Sequence, residues 1–354
     1  MSWGGLEMNQ IRNAIWMRDR GHRVIVFVLK QSPAYFEAEK QKLEIYCIEK
    51  HKKHYDFLSA WELYQKLKLL DVDCFIVRRT FDMSIAASIS FFSKRKIKTL
   101  FFMEMQLSFS KKQFFRTWRY RYIDAWCCPL NYLKEQVLQN TNIKPKKTHE
   151  IPSGIDFNKI QKIDKQIARS KFNLSNDVQV LGVLGRIDPK KGQKLVVEAI
   201  DKLKNENIIL MIMGVQDGSE KPEYLDSIIK FIDQQQLNNQ IRILPFSDST
   251  SDFFNAIDAL IVPSENETVG MVTIESLAHG VPVIGSNRGG TREILNGNEF
   301  GVLFESQSVH DLKNKIENFD PTLYDKNTLM CGAMKFDKEK TCNLVEELIL
   351  SLKN

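Results

Sequence analysis

Two glutamates eight residues apart, Glu267 and Glu275, bracket a glycine in the run Pro263-Ser264-Glu265-Asn266-Glu267-Thr268-Val269-Gly270-Met271-Val272-Thr273-Ile274-Glu275. A helix opened by Gly270 would offer the amides of Gly270, Met271 and Val272 to an anion. The first N–H groups of a helix have no intrahelical acceptor, and the positive end of its dipole points the same way. Carboxylates on either side of such an anion site could grip hydroxyls at opposite ends of a sugar–diphosphate–nucleoside. The bland reading of the same pair is a solvated loop glutamate and a helix-surface glutamate. A second cluster, Gly185-Arg186-Ile187-Asp188-Pro189-Lys190-Lys191-Gly192, follows an apolar run ending at Leu184. Two cations fixed at a strand's C-terminal end, Arg186 and Lys191, could neutralise a diphosphate leaving group as its charge develops. Asp71-Val72-Asp73 is a formal Asp-x-Asp metal pair. It leads straight into the apolar run Cys74 to Val77 and reads as a solvated loop before a buried strand. With Lys and Arg available for a diphosphate, no metal is required.

The order of the whole second-half segment resembles retaining glycosyltransferases of family 4, whose GT-B architecture has two facing Rossmann-like domains. Glu267-x7-Glu275 matches the family's Glu-x7-Glu motif, and Ala278-His279-Gly280-Val281-Pro282-Val283 matches the Ala-x-Gly-x-Pro-Val turn that follows. Gly289-Gly290 and Glu293 fit the next glycine pair and glutamate, while Thr268-Val269 replaces the usual small residue and Phe beside the sugar pocket. Gly185-Arg186 with Lys191-Gly192 matches the family's diphosphate loop. In the first half, Gly4-Gly5-Leu6-Glu7 resembles the Gly-Gly-x-Glu at the start of the first helix, where glycines let the backbone approach the donor phosphate and acceptor. Arg20-Gly21-His22-Arg23-Val24 matches the Gly-His-x-Val that opens the second strand, and Ile151-Pro152-Ser153-Gly154-Ile155-Asp156 resembles the interdomain Ile-Pro-Asn-Gly-Val-Asp. Family members commonly carry a His that contacts the transferred sugar after the fourth strand. Phe102-Met103-Glu104-Met105-Gln106 puts Gln106 there, able to hydrogen-bond a hydroxyl but not to titrate.

The resemblance implies transfer of a sugar from a nucleotide-diphosphate-sugar donor to an acceptor hydroxyl with retention, the leaving phosphate itself taking the acceptor proton. Glu267, Arg186 and Lys191 are then the catalytic candidates. Glu275 holds the ribose, Gly270, Met271 and Val272 offer amides, and Gly4 and Gly5 lie against the donor. Neither cofactor nor metal is implied, and the acceptor is a glycan or lipid-linked sugar of cell-surface polysaccharide or lipid-linked glycan synthesis. The rivals are a non-catalytic nucleotide-sugar binder, motivated by Gln106, and a nucleotide-sugar epimerase of the same architecture. A Rossmann dehydrogenase would need Gly-x-Gly-x-x-Gly after its first strand, which is absent.

These residues need a sheet edge to hold them. Short β-branched and aromatic runs alternate twice with stretches of helical period, the pattern of a parallel sheet flanked by helices. In the first half, Leu6, Ile11, Ala14 and Ile15 share one face of a helix stopped at Gly21, and Val24 to Leu29 reads as the following strand. Cys74 to Val77, Thr99 to Met103 and Ala125 to Cys128 continue the series. The second series is Val178 to Leu184, Ile208 to Met213, Ile241 to Leu244, Ala259 to Val262 and Val283 to Gly285. The turn at Pro152-Ser153-Gly154 divides an acceptor domain, 1–152, from a donor domain, 153–335, with a C-terminal helix in 336–354 expected to pack back toward the first. A strand is expected before the Gly4-Gly5 turn, and only three residues precede it, so the first strand of that domain is missing or lies upstream.

At 354 residues, 43% apolar and 27% charged, the chain is long enough for two globular domains and excludes disorder and collagen. No apolar run approaches the ~20 residues of a membrane span, and the N-terminus lacks a signal-peptide pattern, so a cytoplasmic chain is expected. Its six cysteines form no metal-spaced cluster and should stay reduced. The net charge of +6 is split, because residues 1–150 carry 27 Lys and Arg against 15 Asp and Glu, whereas the remainder is acidic. An anionic partner for the first half follows. Within it, Lys111-Lys112-Gln113-Phe114-Phe115-Arg116-Thr117-Trp118-Arg119-Tyr120-Arg121-Tyr122 interleaves cations and aromatics. It reads either as a face lying on an anionic membrane, peripheral at the inner side of the cytoplasmic membrane, or as a helix with its aromatics in the core and its arginines in water. No nucleic-acid motif accompanies it.

Overall fold

In the computed structural model, residues 5–54, 56–107, 109–215, 222–247 and 249–353 are described, without the side chains of 114–116. The chain forms two compact α/β units. One comprises Met1–Gly154 with Lys338–Asn354, the other Ile155–Asp337.

The first unit opens on the helix Gly5–Asp19, followed by the strands β1 (Ile25–Leu29), β2 (Glu44–Ile48), β3 (Cys74–Val77), β4 (Lys98–Phe102), β5 (Ala125–Cys128) and β6 (Thr148–Glu150). All pair in parallel, but in two sheets, β1-β2 and β3-β4-β5-β6. Helices cover both faces, which is why β4 and β5 are near-continuous apolar runs rather than alternating ones. Local chemistry sets the helix starts: Ser32 caps the helix Pro33–Lys40 by accepting the Tyr35 amide, and Asp56 caps Phe57–Leu69 by accepting that of Ser59. The C-terminal helix Lys338–Lys353 belongs to this unit and places Val345 and Leu348 in a core cluster with Leu100 and Phe102 of β4.

The second unit holds one six-stranded parallel sheet of β7 (Gln179–Leu184), β8 (Ile208–Val215), β9 (Ile241–Pro245), β10 (Ala259–Val262), β11 (Val283–Ser286) and β12 (Gly301–Phe304), in the order β12-β11-β10-β7-β8-β9. The chain winds outward from β7 through β8 to β9, then returns to the other side of β7 and winds outward again. Such a reversal leaves a crevice at the C-terminal ends of the two central strands, β7 and β10. The opposite end is locked by Arg169, 3% exposed, on the helix Lys165–Lys171. Its Nη2 donates to Asp258 Oδ2 at 2.7 Å, and its other nitrogens donate to the carbonyls of Ala256, Ser175 and Asn176 at 3.0–3.1 Å. Asp258 also accepts the Val180 amide at 2.6 Å, so one carboxylate ties the helix to the N-terminal ends of β7 and β10.

Arg169→Met keeps the length of the side chain but strips donors from three carbonyls and a largely buried carboxylate. Breaking such a pair costs ~3–5 kcal/mol. Urea unfolding of the variant should show that loss, and a change below ~1 kcal/mol would contradict the assignment of Arg169 as the tie between helix and sheet.

Candidate functional site

The loops that follow β7 and β10 are neighbours because those strands are paired, Ala259 with Leu181 and Leu260 with Gly182. Arg186 to Gly192 lies in the first loop and Ser264 to Gly270 in the second. Lys191 Nζ stands 2.7 Å from Glu267 Oε2, and Ser264 Oγ donates to the same oxygen at 2.9 Å. The Glu267 carboxylate is 15% exposed and the Lys191 side chain 38%, so the pair is shielded on the glutamate side and open on the lysine side. A third contact between the loops, from the Glu265 amide to the Lys190 carbonyl, is 3.0 Å long.

Two glycines make this approach possible. Gly192 has φ +74°, and a Cβ there would stand 2.6 Å from the Pro263 carbonyl oxygen. Gly289, at φ +63°, presses against the backbone of Glu267 so closely that a Cβ would lie 2.0 Å from its carbonyl oxygen. That oxygen accepts the Gly290 amide at 2.8 Å. The Gly289-Gly290 pair thus positions Glu267 through its main chain, a role only a residue without a side chain can take at that φ.

Arg186 projects from the β7 loop with its side chain 54% exposed, its Nη2 3.7 Å from Asp188 Oδ2. Its carbonyl accepts from Gln193 Nε2 at 2.9 Å, and Gln193 is fully buried. Asp188 caps the following turn by accepting the Lys190 amide at 2.9 Å. Gly270, at φ 83° and ψ 45°, is the left-handed residue opening the helix Met271–Ala278. The amides of Thr273 and Ile274 return to the Gly270 carbonyl, so those of Met271 and Val272 stand ahead of any intrahelical acceptor. Glu275 is half-buried in the second turn of the same helix. Its carbonyl accepts His279 Nδ1–H at 2.8 Å, while His279 Nε2 faces Ser251 Oγ at 3.2 Å and the ring stacks on Phe254. Burial pushes the His279 imidazole below its ordinary value of 6.5.

The structure thus brings Lys191, Glu267 and Gly270 to one sheet edge, with Arg186 and Glu275 on the same loop and helix. Sequence reading missed Ser264, Gln193 and the main-chain part of Gly289. The residue adjacency Pro263-Ser264 and Gly192-Gln193 was the signal available for the first two.

In the first unit Gly5 opens the helix Gly5–Asp19, and Gly4 lies outside the described residues. Gln106 is half-buried and donates from Nε2 to Tyr132 Oη at 3.1 Å. Sequence reading missed the ion pair two residues before it. Arg78, at the end of β3, pairs with Glu104, both side chains being 5–6% exposed, and the guanidinium lies 4.8 Å from the centre of the Phe102 ring. Asn9 Nδ2 donates to Glu104 at 3.3 Å and Arg12 donates to Asn9 at 2.6 Å, extending the network onto the first helix. Asp73 pairs with Lys353 at 2.7 Å at the entry to β3. Of the basic–aromatic stretch, Arg119 and Tyr120 turn inward, 7% and 4% exposed, whereas Lys112 and Arg121 face solvent.

Two parallel α/β units of this build define the GT-B class. Residues 3–159 match the family described as Glycosyltransferase Family 4, and residues 164–319 match glycosyl transferases group 1. The chain belongs to glycosyltransferase family 4. It is 28% identical over 210 residues to a D-inositol 3-phosphate glycosyltransferase of Geodermatophilus obscurus, a stretch covering 56% of this chain and 45% of that protein. A protein of the same description from Mycobacterium tuberculosis is 26% identical over 185 residues, 52% of this chain and 38% of that one. The match thus spans about half the length of these curated relatives or less. Among solved structures, a glycosyltransferase from Rickettsia africae superimposes with TM-score 0.88 at 20% identity, covering 99% of this chain and 96% of that one. HepE of Anabaena, solved in complex with UDP, superimposes with TM-score 0.85 at 18% identity, covering 98% and 96%.

His279 gives a pH signature. Below pH ~6.5 the unfolded chain takes up a proton that the buried imidazole resists, so the stability it contributes is present above that pH and lost as pH falls toward its folded value. Urea unfolding between pH 7 and 5 should fall more steeply for the wild type than for His279→Gln. Parallel curves would contradict a buried, neutral His279.

Proposed function

We propose that the protein is a retaining glycosyltransferase that moves a sugar from a nucleotide-diphosphate-sugar to an acceptor hydroxyl of a glycan or lipid-linked sugar, without a metal. The observation that carries this reading is the Lys191–Glu267 pair at the sheet's reversal point, beside the helix start at Gly270. A donor diphosphate settling there meets the open side of Lys191, the guanidinium of Arg186 and the amides of Met271 and Val272. The two cations and the N–H dipoles are in place before reaction, so charge developing on the leaving phosphate is stabilised without reorganisation. Glu267 orients the lysine and reaches the donor sugar, and Glu275 takes the ribose hydroxyls. The leaving phosphate accepts the acceptor's proton as the new bond forms on the same face of the sugar. No protein base is then needed, and Gln106 in place of a His remains compatible with sugar binding. The UDP complex of HepE supports a nucleotide-sugar donor. Pairing of Asp73 with Lys353 supports leaving a metal out of the mechanism.

The acceptor side faces an anionic membrane surface. Supporting it is an aromatic patch on the first unit: Phe57, Trp61 and Phe91 are each about half exposed, and Leu58 is 81% exposed. Trp61 lies edge-on to Phe92, Phe91 edge-on to Tyr122, and Phe57 against Trp118, so three helices share the patch. The exposed cations Lys94, Arg95, Lys96 and Arg121 lie on or beside the same helices. Interfacial aromatics with cations at the headgroup level retain a protein on an anionic bilayer. No helix among the described residues is long and apolar enough to cross a membrane.

Lys191→Ala or Glu275→Ala should weaken donor binding or turnover by ~2–4 kcal/mol with little change in melting temperature. Wild-type release of free nucleotide diphosphate should require acceptor and persist in excess EDTA. Wild-type kinetics in both variants would remove the proposed donor site. Release without acceptor would indicate an epimerase, and none with any donor a binding protein. For the membrane, vesicles of anionic lipid should co-sediment the wild type at low salt but not a Phe57→Ser, Trp61→Ser, Phe91→Ser variant. Equal binding by both, or indifference to lipid charge, would overturn the surface assignment.

A further inference from the structure

Among the described residues three arginines are buried, and two of them, Arg78 and Arg169, each face a carboxylate, that of Glu104 and that of Asp258. Arg119 does not. It lies on the helix Phe114–Tyr122 and is 7% exposed, yet its side chain makes one hydrogen bond, from Nη1 to Ser84 Oγ at 3.5 Å, and its buried Nε has no acceptor. An arginine stays charged at every ordinary pH, so a guanidinium held away from water with no anion opposite it is costly to the fold.

Ser84 stands in the first turn of the helix Met83–Phe92, which follows β3. That helix start is itself short of partners. Asp82 precedes it, but its carboxylate makes no capping bond and is held instead by His51, whose Nε2 lies 3.1 Å from its Oδ1. The Ala86 amide returns to the Asp82 carbonyl, whereas the amides of Met83, Ser84 and Ile85 have no acceptor among the described residues, and those residues are only 1–4% exposed. Helix starts are ordinarily closed by a side-chain oxygen, and here that oxygen is lacking.

The two observations meet at Ser84. Three amides at the positive end of a helix dipole, a hydroxyl and a buried guanidinium are all donors, and their summed charge is positive. A neutral ligand would leave the guanidinium unbalanced. A carboxylate offers two oxygens and one charge, whereas a phosphomonoester offers three oxygens and most of a second charge at neutral pH. Arg79, exposed in the turn that leads into the helix, adds a solvent-facing cation.

We propose that the start of the helix Met83–Phe92 is a binding site for a phosphomonoester group, held by the amides of Met83, Ser84 and Ile85, the Ser84 hydroxyl and the Arg119 guanidinium. Because β3 and β4 are paired in parallel, it lies at the same sheet edge as Gln106, which follows β4, and Met83 shares a core cluster with Leu107. On the transfer reaction proposed above, on which this part rests, the group belongs to a phosphorylated acceptor. A phosphomonoester lipid headgroup carries the same chemistry.

The test is peptide-resolved hydrogen exchange and melting temperature of the full chain as wild type, Arg119→Met and Ser84→Ala, with inorganic phosphate and with vesicles of phosphatidic acid or phosphatidylcholine. Phosphate should slow exchange at 83–85 by about tenfold in the wild type and raise its melting temperature, do neither in Arg119→Met, and act more weakly in Ser84→Ala. Without phosphate, Arg119→Met should melt no lower than the wild type, because the fold gives that charge no partner. A lower melting temperature in that variant, equal phosphate effects in both, or protection at 185–193 alone would overturn the site. Stronger protection by phosphatidic acid vesicles than by phosphate, absent with phosphatidylcholine, would assign the group to a lipid and overturn the acceptor assignment. Protection at 83–85 in a protein that transfers no sugar would contradict the reaction and leave the site standing.

Discussion

A lysine and a glutamate 76 residues apart in sequence are held 2.7 Å from one another, and the layout of the second unit serves that contact. The sheet must reverse direction for the loops after β7 and β10 to be neighbours, since in a sheet wound one way only their strands would lie three places apart. It must also let backbone touch backbone. Gly192 against the Pro263 carbonyl and Gly289 against the Glu267 carbonyl remove the width of a side chain at the two points where the loops close. Ser264 adds a second hydrogen bond to the oxygen that meets the lysine, and the ammonium is the more exposed member of the pair. A charge pair of this kind contributes modestly to stability. Its value is that a cation arrives at the sheet edge with its direction already fixed.

The supports behind the pair are neutral, Gln193, Thr273 and Thr291 buried and His279 half-buried. Gln193 holds the Arg186 carbonyl, Thr273 faces Thr291 across the helix start at 3.3 Å, and His279 closes the helix end by donating to the Glu275 carbonyl. Gln193 takes up a main-chain carbonyl of the tight β7 loop, the two threonines join neighbouring helices side chain to side chain, and His279 adds a ring contact to a carbonyl that already accepts its own amide. The first unit builds the end of its sheet differently, around the Arg78–Glu104 ion pair that links β3 and β4 to Asn9 on the first helix. Breaking it would leave a charge buried with nothing opposite, so it fixes the ends of those strands beside Gln106.

Much of this was legible in the sequence because strand identity and loop chemistry are local. Cys74–Val77, Ala125–Cys128 and Ala259–Val262 are short apolar runs with the same bounds in the structure, and the remaining expected strands differ by one or two residues. Three strands were missed. β2 carries Glu44 at its start, β6 has only three residues, and β12 begins at Gly301, so none shows a clear apolar period. The two loops of the candidate site were legible from glycine, cation and carboxylate spacing. What joins them was not, because strand order is set by packing of distant segments and no spacing in one loop reports the position of the other. The same holds for Arg119. A basic–aromatic run looks like a charged face, and only the packing of its helix beside Ser84 of the helix Met83–Phe92 turns that arginine inward.

The central claim is that a nucleotide diphosphate binds at the C-terminal edge of the second unit's sheet. Peptide-resolved hydrogen exchange with and without saturating UDP or GDP tests it without presuming a sugar or an acceptor. The account predicts protection confined to residues 185–193 and 264–275, covering the Lys191 loop, Glu267 and the helix start at Gly270. Protection centred in the first unit, or at β9 and β12 on the sheet's outer edges, would contradict it.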